Sequence, residues 1–383
     1  MTQSAGRSGG GMHRAVETYF RLAPVTVPIY AVLTAVVVGS LAILASGSNP
    51  VEAYAALFRG SFGSGDAIAK TIARSTPFVI AALAVAFGFK AGLFNIGAQG
   101  QLLMGALAAA WVGTWGWVAA SPAVVAIPMV VLAGLAGGLV YGGIPGVLNA
   151  RTGAHEVIVT IMLNAIAARM AEWLINSRNP RILLDAAASV PHTTAIADAA
   201  RLPKLIPGTP LHVGFLLALL LCVAVGCILQ RTTVGFEIRT VGANPHAAEY
   251  AGMSVSRTIV VVLAVSGALA GIAGAAEVAG GTTGYLTAGQ FRNVGFDSIA
   301  IALLARANPF AVVPAAILWG ALLTGAGTMQ LQAGVSSDLV FVVQALVILF
   351  VAADVIVRWI FRIRRPRDID VTGGGAFAKG GGG

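Results

Sequence analysis

Charge is scarce in this chain. Only 10% of its 383 residues are Asp, Glu, Lys or Arg, against about 25% in soluble domains. Hydrophobic residues make up 57% and mean hydropathy is +0.85, which excludes a soluble globule. Cysteine is scarcer still. Cys222 and Cys227 stand in one apolar run, five residues apart on a helix and so on different sides of it. They read as small hydrophobes, with no disulfide and no metal site. The five histidines are scattered through tails and loops. No HExxH or DxD-type pair lies in an apolar run, and neither Ser266-Gly267 nor Ser298 has a basic partner in the sequence, so no catalytic residue is expected. No G-x-x-x-x-G-K-[ST] occurs, so the chain has no P-loop for ATP. Barrel-type alternation over about ten residues is absent too. The net charge of +9 comes from basic residues in short loops and near the C-terminal end. That distribution follows the positive-inside pattern of membrane proteins, and nucleic acid is not expected as a partner.

What is present is a succession of apolar runs. Ten candidate spans lie near 26–46, 67–89, 93–119, 123–148, 156–175, 211–230, 258–280, 294–305, 309–327 and 338–360. All but the eighth can cross a hydrocarbon core of about 30 Å at 1.5 Å per residue. The fold class expected is therefore an all-α integral membrane protein, a polytopic bundle of about ten transmembrane helices. The eighth span, "VGFDSIAIALLA", reads as a half-helix or re-entrant segment, and the third as a broken one. The polar, basic residues 1–25 form a cytoplasmic tail. The run after them is too long for a signal-peptide core and lacks a cleavage site, so it reads as a retained first span. Residues 26–360 form the transmembrane domain, and 361–383 a basic, then Gly-rich, disordered tail. With both termini inside, 15 of the 24 Lys and Arg are cytoplasmic, as the positive-inside rule asks. The 176–210 segment is then the longest external loop, and 231–257 the longest internal one. Asp354 and Arg358, one turn apart near the inner end of span ten, read as an ion pair.

Three features carry information beyond the spans. Gly134, Gly138, Gly142 and Gly146 recur every fourth residue, a stripe that lets a neighbouring helix approach closely; Gly267 and Gly271 repeat the device. The partner of the stripe is a helix of the same chain or, alternatively, of another subunit. In "RTTVGFEIRTVGANPHAAEYAGMS" (231–254), Asn244-Pro245 opens a turn and a short helix that Gly252 stops. Its apolar groups suit docking into a groove on another protein; lying on membrane lipid is the alternative. The third feature is "FKAGLFNIGAQGQLLMGALAAAW" (89–111), a polar knot at the mouth of a span. Asn95, Gln99 and Gln101, with Asn164, Glu277 and Asp297 in other spans, are candidates for lining a translocation path, since polar groups inside a bilayer are costly and face a bundle interior or water. Interhelical hydrogen bonding is the plainer alternative for each. Gly97 and Gly100 permit the backbone to unwind there. Glu156 after His155 reads as a helix-start carboxylate.

These stretches carry a resemblance. "GFEIRTVGANPHAAEYAGMS" resembles the coupling loop of permease subunits of ATP-binding-cassette (ABC) importers, in the group serving branched-chain amino acids, ribose-type sugars and nucleosides. "FKAGLFNIGAQGQLLMGALAAAW", "GAHEVIVTIMLNAIA" (153–167) and "GFDSIAIALLARANPFAVVPAAILWGALLTGAG" (295–327) match it as well. The set looks most like the guanosine-type, nucleoside branch. One departure is visible: Gln99 stands where that group leads us to expect Glu. The resemblance implies an inner-membrane importer subunit, without catalysis of its own, whose ATP and Mg are bound by a separate ATPase. The docking residues are then Phe236, Glu237, Arg239, Asn244, Pro245, Glu249, Tyr250 and Gly252. It also implies a second, different permease and an external substrate-binding lipoprotein. Neutral amides suit a nucleoside, which offers hydroxyls and ring heteroatoms without charge. Simple sugars or branched-chain amino acids are the alternative solutes. An ion-coupled secondary transporter is the alternative machine, with Glu277 and Asp297 as its best ionisable candidates, both near span ends.

Overall fold

The computed structural model describes residues 29–336 and 338–352. The 1–25 tail, the 361–383 tail, the inner part of span ten and the Asp354–Arg358 pair lie outside the described residues. Among those described, the regular structure is helical, with isolated β-bridges confined to the loops.

All ten apolar runs contain helix; among the described residues, spans one, three, eight and ten each hold a helix shorter than a full crossing. Six helices are long and apolar enough to span: α3 (Gly65–Lys90), α6 (Ala123–Thr152), α7 (Glu156–Asn176), α8 (Gly214–Arg231), α11 (Val255–Gly280) and α13 (Val312–Ala333). A seventh span exists if α1 (Ile29–Ala45) and α2 (Pro50–Phe62), bent by 117°, are taken together. Span three is cut into α4 (Ala98–Gly113) and the single turn α5 (Gly116–Ala119). Span eight is α12 (Val294–Leu304), and the described part of span ten is α14 (Asp338–Ala352). An 11-residue α12 rises about 16 Å, half the hydrocarbon thickness.

The bend after α1 has a local cause. Asn49 caps α2 by accepting a hydrogen bond from Val51 N, with Pro50 in the first turn. The new helix then lies against α13. Ser61 Oγ donates to Ala321 O at 2.6 Å, and Thr71 Oγ1 of α3 donates to Ser61 O. Phe58 and Phe62 stay exposed on the other face.

α3 and α11 form the centre. Phe78 to Gly88 of α3 and Ser266 to Ala276 of α11 are buried without a break, as helices that are apolar on every side must be. α6 packs on α11 through the glycine stripe. A Cβ at Gly142 would lie 2.5 Å from Leu263 O and 2.8 Å from Gly267 Cα, so only a hydrogen fits. Gly138 meets Gly267 and Gly271 in the same way. The stripe thus faces a helix of its own chain. α7 and α8 lie outermost and expose Ile158, Met162 and Ile166, and Leu216 and Leu220.

The two ends of the bundle differ. At one, residues 177–213 fold over the end of α11 and the 281–291 segment through Thr193 N to Leu286 O, Ile196 N to Gly284 O and Leu202 N to Ala279 O, at 2.8–2.9 Å. At the other lie α9 (Thr233–Ala243) and α10 (Pro245–Tyr250).

Candidate functional site

The site begins where span three breaks. After α3 the chain turns at Gly92, with φ +73°, and stays non-helical until α4. This break exposes backbone donors in the middle of the bundle, where each must find a partner. Asn95, fully buried, partners one of them and three side-chain groups. Its Oδ1 accepts from Gly97 N at 2.9 Å and from Gln101 Nε2 at 3.2 Å. Its Nδ2 donates to Gln101 Oε1 and Ser266 Oγ, both at 2.8 Å. Ser266 in turn donates to Ala84 O of α3. All four hydrogen-bonding positions of Asn95 are therefore taken. Asn95 and Gln101 form an interior hub that joins α3, α4 and α11.

Asn164 and Gln99 sit differently. Asn164 Oδ1 accepts from Gly100 N and its Nδ2 donates to Ile96 O, each at 2.8 Å. Gln99 Nε2 donates to Phe291 O at 2.6 Å while its Oε1 accepts from Gly295 N at 2.7 Å. An amide can do both at once; an ionised carboxylate could not donate to the Phe291 carbonyl. The departure from Glu at this position therefore suits its surroundings. Each of these two amides keeps one N–H and one lone pair free. Both line a cavity of about 700 Å³ between α4, α7, the 288–293 segment and α12, with Arg169, Glu172, Arg292 and Phe296 on its walls.

The remaining expected path residues lie elsewhere. Glu277, one turn from the end of α11, lines a separate cavity of about 480 Å³ with Lys70, Arg74 and His212, and Arg74 and Lys204 flank it. Lys204 Nζ donates to Gly280 O at 2.6 Å. Asp297, in the first turn of α12, faces the buried Trp319 indole. The six residues thus fall into a hub, a cavity wall and two peripheral positions. Both carboxylates sit at helix ends.

The charged residues of the main cavity were not singled out from the sequence. Arg169 Nη1 lies 2.7 Å from Glu172 Oε2, with the side chains 83% and 51% exposed. Lipid contact would cost a charge in mid-membrane about 3 kcal/mol. A cavity open to water would remove that cost. Two opposite charges three residues apart in an apolar run were the available signal.

At the other end, α9 and α10 form an elbow. Asn244 Oδ1 accepts from Ala247 N at 3.0 Å, capping α10, and Pro245 takes its first position. Gly252, at φ +81°, ends it, with Met253 N donating to Ala248 O. Ile238, Val241 and Ala248 are buried, while Phe236 (55%) and Tyr250 (95%) are exposed. Glu237 Oε1 accepts from Thr258 Oγ1 of α11 at 2.8 Å, and Arg239 Nε donates to Gly235 O. Glu249 O accepts from Gly252 N. Gly242 rests on Lys90 O and the Ala91 backbone, and the Gly92 turn rests on Gly242 O. The elbow therefore touches the chain three residues before Asn95. His155 and Glu156 open α7, and the Glu156 carboxylate accepts from Asn149 Nδ2 at 3.1 Å. Among the described residues no group of three or more His, Cys, Asp or Glu could hold a metal ion.

Residues 67–352 match the family described as branched-chain amino acid transport system / permease component. The Guanosine ABC transporter permease protein NupP of Bacillus subtilis is 41% identical, over 89% of this chain and 96% of the relative. The Nucleoside ABC transporter permease protein NupB of Lactococcus lactis is 35% identical over 90% and 93%. The Glucose ABC transporter permease protein TsgB13 of Haloferax volcanii is 36% identical over 91% and 94%. No solved structure matches the chain.

Proposed function

The chain belongs to the family of permease components of branched-chain amino acid transport systems, and from that membership we propose that it is the membrane-spanning subunit of an ATP-driven importer of nucleosides. The observation that carries the solute class is the cavity. Its deeper wall offers neutral amides, Gln99 and Asn164, each with a donor and an acceptor to spare. That chemistry matches ribose hydroxyls, and the relatives NupP and NupB carry guanosine and nucleoside in their names.

The protein lies in the bacterial inner membrane with both termini in the cytoplasm. The 177–213 end then faces outward and receives solute from a substrate-binding lipoprotein. The α9–α10 elbow faces the cytoplasm, where exposed Phe236 and Tyr250 enter a groove on an ATPase subunit. ATP and Mg are bound by that partner. Closure of the ATPases displaces α10. Through the Gly242–Gly92 contact the displacement reaches the broken span and re-tilts it around the Asn95–Gln101 hub, turning the cavity from outward-open to inward-open. A second permease covers the exposed face of α7 and closes the path. The remaining apolar runs complete a bundle of about ten crossings with that partner in place. The subunit itself makes and breaks no covalent bond.

A simple sugar is the second reading, because TsgB13 is named a glucose permease and hydroxyls would suit the same amides. The test is uptake of labelled guanosine, uridine, glucose and leucine into proteoliposomes holding the whole importer. Nucleoside uptake should require ATP. It should vanish in Tyr250→Ala/Phe236→Ala and in Gly242→Leu, while the chain still inserts. Uptake of glucose or leucine alone would refute the solute. Undiminished uptake in those variants, or accumulation on an ion gradient without ATPase subunits, would refute the coupling.

A further inference from the structure

The outer wall of the main cavity carries chemistry that the neutral amides do not explain. On α7, Asn164 lies eight residues from the Glu156 start and Arg169 thirteen, a separation of about 7.5 Å along the axis. The Arg169–Glu172 pair therefore stands above the amides, at the end from which solute arrives. Its members meet through a single hydrogen bond, Nη1 to Oε2 at 2.7 Å. Four of the five guanidinium N–H groups and the other carboxylate oxygen remain open. An exposed i,i+3 pair is weak, so an incoming solute can open it. Phe296, 44% exposed, presents an apolar ring to the same cavity, a surface on which a base can stack.

Resting on the nucleoside reading above, we propose that Arg169 and Glu172 read the lactam edge of the base. Inosine and guanosine carry a ring N–H beside a C=O. The carboxylate accepts from the N–H, and the guanidinium donates to the carbonyl oxygen. Adenosine carries the reverse, an unprotonated ring nitrogen beside an amino group. With the ribose held by Gln99 and Asn164 deeper in the cavity, the base cannot turn over to restore the match. The station therefore favours inosine and guanosine over adenosine.

Inosine and adenosine differ only at that edge, which makes them the probes. The lipoprotein has a selectivity of its own, so the first measurement leaves it out: saturation-transfer NMR titration of the detergent-solubilised permease–ATPase complex with each nucleoside. In Glu172→Gln and in Arg169→Gln the Kd for inosine should rise roughly tenfold and that for adenosine by less than twofold. Glu172→Asp should keep most of the inosine affinity. The swap Arg169→Glu/Glu172→Arg preserves the ion pair and reverses its order, and should invert the preference toward adenosine. The swap also decides the matter should either single variant fail to accumulate in membranes. Equal changes for both nucleosides, or an unchanged preference in the swap, overturn the proposal. If wild-type proteoliposomes take up nucleosides and the swap leaves the preference alone, only the recognition station fails. If they take up none, the importer reading fails first.

Discussion

Asn95→Leu is the sharpest perturbation of the broken span. Leucine replaces the amide with little change of shape, so the effect is one of lost polar partners. Asn95 holds four hydrogen bonds. Without it, Gln101 loses the partner of its Oε1 and of its Nε2, and Gly97 N loses its acceptor. Ser266 keeps its bond to Ala84 O. Three buried groups are orphaned. At about 1 kcal/mol each this is about 3 kcal/mol; at the average of about 0.6 kcal/mol found between membrane helices it is about 2 kcal/mol. Adding Gln101→Met removes two of the three orphans, leaving Gly97 N alone and a cost of about 1 kcal/mol. The double variant should therefore be more stable than the single one. Thermal unfolding of the detergent-solubilised protein, followed by the monodisperse fraction remaining, orders the three forms. A double variant as unstable as Asn95→Leu, or less stable, would refute the account of the hub as a closed hydrogen-bond circuit.

Two further outcomes are expected. Gly142→Val places a side chain on Leu263 O and Gly267, and should cost about 1–3 kcal/mol by overpacking; Gly143→Ala, whose nearest neighbour is Ala264 Cβ at 4.0 Å, should leave the same melting profile unchanged. His212 is held down to about 4 from its ordinary 6.5, first by burial and then by Lys204, so folding favours its neutral ring. That contribution is whole above pH 6.5 and is lost as pH falls from 6.5 towards 4, by about 3 kcal/mol at most; His212→Gln should flatten this stretch of the stability–pH profile measured in detergent.

Much of the bundle could be read from apolar runs because burial in a membrane protein needs little besides length. The break in span three was visible in its glycines and amides, and the glycine stripe of α6 in its four-residue spacing. The stripe's partner was not, since spacing names a face and not what covers it. The turn after α1 is not legible in the sequence because Asn49-Pro50 follows a complete apolar run and the next helix is amphipathic. Among the polar candidates, composition alone could not separate Asn95 and Gln101, whose groups satisfy each other, from Gln99 and Asn164, which keep capacity facing a cavity. That distinction depends on Ser266, Phe291 and Gly295, up to 196 residues away in the chain. Arg169 and Glu172 were legible as charges but not as neighbours of Phe296, which another helix brings to them.

The abutment of Gly242 on the turn at Gly92 has a mechanical implication. Two side-chain-free backbones in contact have no rotamers to absorb a push. On the coupling proposed above, a push on the α9–α10 elbow would reach the unwound residues without slack, across one joint instead of a relay. In the importer proposed above, timing of solute release would then be set by how quickly an ATPase partner moves, with little lag added by the bundle itself.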